Sequence, residues 1–99
     1  VAELQIVYWR DIPAQVVVRQ GRKAARRELP LRFIEAVDMC AMRVGAKDSD
    51  AYLAEWRRVS SPSEATDLEA EADRALAEID TAYDASRLKT LIANEGHET

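Results

Sequence analysis

A single cysteine and a single histidine in 99 residues remove much of the chemistry a small protein can carry. Cys40 alone can form no intrachain disulfide and cannot build a cysteine-rich zinc site, and His97 has no second histidine with which to share a metal. A histidine-based triad has no support either. Glycine is equally scarce: Gly21, Gly45 and Gly96 stand far apart, and none opens a phosphate-cradling loop. No apolar run approaches the roughly 18 residues a membrane span needs. The opening residues lack the basic and apolar regions of a secretory signal. These absences lead to the expectation of a cytoplasmic chain with no catalytic group, no metal and no cofactor of its own.

What remains is ordinary for a folded protein. Hydrophobic residues make up 47% and charged residues 32%, with only three prolines, so the chain should fold as one domain over residues 1–99. The net charge of -4 conceals an asymmetry. Residues 1–58 carry 11 Lys and Arg against 8 Asp and Glu, whereas residues 59–99 carry 3 against 10. Two halves of opposite sign can neutralise each other by packing together.

Leu4, Ile6 and Tyr8 alternate with Gln5, Val7 and Trp9, and residues 14–19, AQVVVR, are equally strand-like. Arg10, Asp11, Ile12 and Pro13 connect them, which predicts an antiparallel hairpin over about residues 3–20. Two strands alone are marginal, so the hairpin needs helices or the edge of a second copy, and a homodimer through its exposed edge is expected. After Gly21, GRKAARREL predicts a short basic helix or turn. Pro30 suits a helix start, and Phe33, Ile34, Val37, Cys40, Ala41 and Val44 form an apolar stripe up to Gly45. Burial of Phe33, Ile34 and Val37 would each contribute roughly 1.5 to 3 kcal/mol.

Asp48 or Ser49 can cap a helix running to about Arg58, with Tyr52 and Trp56 one turn apart. SSPSEA then reads as part of a loop over residues 59–66. Thr66 and Glu69 match a capping box ahead of the stripe Leu68, Ala72, Ala75, Leu76, Ile79 and Tyr83. Leu88 and Ile92 fall off that stripe, so the helix should restart, capped by Asp84 or Ser86, and stop near Asn94 and Gly96. His97 to Thr99 are expected to fray. The fold class is therefore α+β: an N-terminal antiparallel hairpin followed by four or five helices over about residues 22–94 packed on it.

Two constellations stand out as candidate partner-binding sites. Trp9, Arg10, Asp11 and Pro13 form either a rigid hairpin connection or a contact surface of interface-prone residue types. Arg22, Lys23, Arg26 and Arg27, flanked by Arg19 and Arg32, would form a concentrated positive patch if residues 22–28 were helical. That patch could hold an acidic partner or phosphate groups, or it could be a solvated face neutralised by the acidic C-terminal helix. The overall acidity and the lack of interleaved aromatics argue against nucleic acid. Cys40 reads as a buried structural thiol, and Glu71, Glu78 and Asp80 as a solvated face.

YWRDIPAQV, GRKAARRELPLRF, AMRVG and YLAEWRR, in that order and spread over almost the whole chain, resemble the small bacterial family labelled "virulence factor". A related module stands at the C-terminal end of the larger conserved virulence factor C proteins, behind a NifU-like domain and helical repeats. The resemblance implies a portable accessory module and carries over no catalytic residue. It also associates stand-alone members with one-carbon metabolism involving methylfolate and corrinoid proteins, although no folate or cobalamin ligand motif is visible. The leading expectation is a non-catalytic intracellular accessory or protein-interaction module that binds a larger bacterial protein. The alternatives are a small subunit of a methyl-transfer complex and a nucleic-acid binder acting through the basic patch.

Overall fold

The computed structural model describes residues 2–45 and 49–98. The chain runs β1 (Ala2–Trp9), β2 (Ile12–Gln20), β3 (Lys23–Glu28), α1 (Leu31–Arg43), α2 (Ser49–Ala54), β4 (Trp56–Ser63), α3 (Leu68–Ala82) and α4 (Ala85–Ala93). The strands form one antiparallel sheet in the order β3-β2-β1-β4, and α1 and α3 pack on it while α4 packs against α1. The α+β class holds, with the predicted hairpin at the centre of the sheet.

That hairpin turns on Arg10 and Asp11 alone; Ile12 and Pro13 already belong to β2. The register slips between Val7 and Tyr8, where Val7 faces Gln15 and Tyr8 faces Pro13, so Ala14 is the extra residue of a bulge. Pro13 sits where the ladder is interrupted, which suits a residue with no N–H to give. The bulge also re-aims the strand ends. Simple alternation sends Trp9 to the face opposite Leu4 and Ile6, yet Trp9 is fully buried in the cluster on which Leu4 and Ile6 pack.

Three expectations of secondary structure are corrected. Residues 23–28 are a strand, not a helix: Gly21, at φ 61, opens a tight turn with Arg22, and Gln20 faces Lys23 directly. The exposed edge of β2 then captures the returning backbone, overriding the helical propensity of Lys, Ala and Arg. The helix around Tyr52 stops at Ala54, and Trp56 to Ser63, expected as helix end and loop, pair with β1 over its whole length. Pro62 is tolerated because β4 is an edge. The hairpin therefore exposes neither of its own edges, since β3 and β4 are paired to them.

The helices follow their stripes with small rotations. In α1 the buried residues are Phe33, Ala36, Val37, Cys40 and Ala41, while Ile34 is turned outward. Asp67, not Thr66, caps α3 by accepting from the Ala70 N–H at 3.1 Å. Asp84 caps the restarted helix α4 through the Arg87 N–H at 2.8 Å. Of the two alternatives for capping α2, Asp48 lies outside the described residues.

Trp9 and Phe33 are the two largest fully buried side chains. Trp9→Ala or Phe33→Ala should each cost about 3–5 kcal/mol, a large part of the stability of a domain this size. Urea unfolding followed by circular dichroism should show that loss as a lower midpoint.

Candidate functional site

The Arg10–Asp11 turn is held by three separate parts of the chain. Arg10 adopts a left-handed φ of 54 and donates its backbone N–H to the Glu55 carbonyl at 3.1 Å. The Asp11 N–H donates to the Gly96 carbonyl at 2.8 Å. Arg57 donates from Nε to the Arg10 carbonyl at 3.0 Å and from Nη2 to Asp11 Oδ1 at 2.8 Å. The second Asp11 oxygen accepts the Glu98 N–H at 2.8 Å. His97, whose N–H donates to the Asn94 carbonyl at 3.2 Å, and Glu98 are thus held in place, contrary to the expected fraying, while Thr99 lies outside the described residues.

The Arg10 side chain completes the clamp. Its Nη1 donates to the Glu95 carbonyl at 2.6 Å, and Nε lies 3.2 Å from Glu55 Oε2. The angle at Nε does not suit a hydrogen bond, so that contact is an ion pair only. Trp9 lies beneath, with the guanidinium 5.3 Å from its ring, and its indole N–H donates to the Tyr52 carbonyl at 3.0 Å. Trp9 and Pro13 are fully buried and are not surface groups. Of WRDIP, the polar groups of Arg10 and Asp11 are turned to contacts within the chain. Sequence reading missed Arg57, Gly96 and Glu98 as partners of this turn, because contacts this distant in sequence leave no local pattern.

The basic run is divided by its strand geometry, since successive side chains leave a strand on opposite faces. Arg27 points to the helix side, donating to Asp73 at 2.7 Å and Glu69 at 3.1 Å on α3. Arg32 is paired with Asp80. Arg26 emerges on the other face of the sheet, beside Val17 on β2, while Arg22 and Lys23 are exposed at the turn. The continuous helical patch does not exist. Acidic α3 neutralises part of the run, and Arg22, Lys23 and Arg26 form no ion pair among the described residues.

The largest unabsorbed feature is the outer face of α1. Leu31, Ile34, Met39 and Met42 are 69%, 38%, 58% and 60% exposed; Leu31 and Met42 lie opposite the buried side and Ile34 and Met39 on its two flanks, with exposed Glu35 and Asp38 set among them. Both methionines of the chain are on this face. Clefts flank it on either side: one of about 430 Å³ bordered by Leu29, Leu31, Ile34 and Trp56, the other of about 380 Å³ between α1 and α4. The sequence stripe could have revealed this face, since α1 has more apolar residues than one buried side can take.

Cys40 is buried, and burial pushes its thiol pKa up, away from the reactive thiolate. Burial likewise raises Tyr8 and Tyr83, near the chain end. Among the described residues no group of three or more His, Cys, Asp or Glu could hold a metal ion, and no helix is long and apolar enough to cross a membrane.

Two consequences of the clamp can be measured. Gly96 has φ 87, and a Cβ there would lie 3.0 Å from Arg10 Cδ and 3.1 Å from Cys40 Sγ. Gly96→Ala should therefore cost about 1–2 kcal/mol in chemical unfolding. The Glu98 N–H and Arg57 hold the Asp11 carboxyl below its ordinary value of 3.8. A carboxyl that titrates lower when folded stabilises above that value and loses its contribution as pH falls below it. Protection of the Glu98 amide from exchange should fall on acidification through this range, and Asp11→Asn should remove most of that dependence.

Comparison with curated proteins and with solved structures finds no match. The model of one family, described as "Virulence factor", matches residues 7–92. That span takes in the whole hairpin turn, every helix to near the end of α4 and the intervening strands, and the chain belongs to this virulence factor family.

Proposed function

We propose that the chain is a non-catalytic accessory module of the bacterial cytoplasm that docks on a larger protein through the outer face of α1. The observation that carries this reading is the exposure of Leu31, Ile34, Met39 and Met42 along one helix, bordered by two clefts. Scattered apolar side chains on a surface are ordinary, but four large ones on a single helix with a cleft on each flank have the form of a protein contact, with the exposed charges of Glu35 and Asp38 set among them. Methionine suits such a face because its unbranched, polarizable side chain adapts to the surface it meets. The WRDIP turn is a poor contact surface by comparison, since Trp9 and Pro13 are buried and Asp11 is engaged by Arg57 and Glu98.

A three-way capture from native lysate tests this reading. Tagged wild-type chain should retain a stoichiometric protein that Leu31→Glu with Met42→Glu loses and that Arg22→Glu with Arg26→Glu keeps. Loss in the second pair and retention in the first would transfer the docking role to the β2–β3 end of the sheet. Circular dichroism on each variant would show that the fold is intact, as expected for substitutions at exposed positions.

A further inference from the structure

The cleft between α1 and α4 is lined by the buried Ala36 and Leu88, the half-buried Ile92 and the exposed Met39, together with charges of opposite sign. Glu35 stands on the α1 rim and Lys89 on the α4 rim. Neither takes part in an ion pair among the described residues. Arg32, the third charge beside the cleft, is already held by Asp80 and donates to the Tyr83 carbonyl at 3.1 Å. The charges left unmatched are therefore one acid on α1 and one base on α4, both exposed and both lining the cleft between the two helices.

Both walls are helices, whose backbone groups are satisfied along their own axes. An extended segment entering the channel would find no ladder for its N–H and C=O groups, and burying them unpaired is costly. A helix brings its own hydrogen bonds. The 9 residues of α4 span about 13.5 Å at helical rise, enough to seat between two and three turns of an incoming helix.

We propose that this channel receives an amphipathic helix of the partner protein, with an apolar stripe on the floor, a basic flank toward Glu35 and an acidic flank toward Lys89. The proposal rests on the docking reading above and names the partner's chemistry. Reversing the direction of a helix in the channel exchanges its flanks. The two rim charges therefore select a helix with one basic and one acidic flank, and they fix the direction in which it lies.

The test uses the purified full chain and three labelled synthetic peptides that share one leucine stripe. Their flanks carry Lys and Glu, Lys on both sides, or Glu on both sides, and binding is read by fluorescence anisotropy. Wild type should prefer the mixed peptide by about fivefold, in keeping with exposed ion pairs. Lys89→Glu should shift the preference to the all-Lys peptide, and Glu35→Lys to the all-Glu peptide. Met39→Asp should weaken all three. The same ranking in every variant, or no saturable binding to wild type, would overturn the proposal. If those results came from a chain that still captured its native partner through Leu31 and Met42, the docking reading would survive without the channel helix. Peptide binding that competed with self-association in light scattering would make a second copy the occupant, which also overturns a partner helix.

Discussion

Asp11 is the group on which the arrangement of the whole chain converges. One carboxylate oxygen accepts from Arg57 on β4 and the other from the backbone of Glu98, while the N–H of the same residue donates to Gly96. A single two-residue turn thereby fixes the central hairpin, the start of an edge strand and residues 96–98. Arg10 adds the contacts to Glu55 and Glu95, and Gly96 has no side chain to collide with Arg10 and Cys40, both of which lie against it. Charge-assisted bonds of this kind are individually modest at a partly exposed site, but here they lie over the fully buried Trp9. Packing supplies most of the stability, and the bonds set the geometry.

This arrangement separates two properties that residue type alone merges. Tryptophan, arginine and proline next to one another resemble an interface hot spot, yet here the aromatic and the proline lie inside and the arginine spans internal carbonyls. The contact surface proposed here is made by residues of ordinary appearance, the leucine, isoleucine and methionines of α1. A helix needs one apolar side to pack on the sheet. The outer side of α1 carries Leu31, Met39 and Met42 among the exposed charges Glu35 and Asp38, more apolar surface than packing on the sheet requires.

Much of the fold was legible in local pattern. The hairpin, the Pro30 start of α1, the Asp84 cap and the break between α3 and α4 all follow from periodicity and capping chemistry. β3 and β4 were not legible, for different reasons. KAARRE has helical propensity, and its strand state comes from a partner strand reached through a Gly21 turn. VSSPS resembles a loop, and only the edge of β1 makes it a strand. The candidate sites suffered the same way. Reading residues 22–28 as a helix gathered Arg22, Lys23, Arg26 and Arg27 on one side, and the strand sends Arg26 and Arg27 to opposite faces.

The central claim is that α1 presents the contact surface while the WRDIP turn holds the fold. The chain supplies its own reporters, since its two methionines are both on the outer face of α1 and Trp9 lies beneath the turn. The most direct measurement is an NMR spectrum of chain labelled at the methionine methyls and the tryptophan indoles, recorded alone and in native cell lysate. The account requires the Met39 and Met42 methyl signals to shift or broaden in lysate while the Trp9 indole signal stays in place. Unchanged methyl signals alongside a displaced Trp9 signal would contradict it.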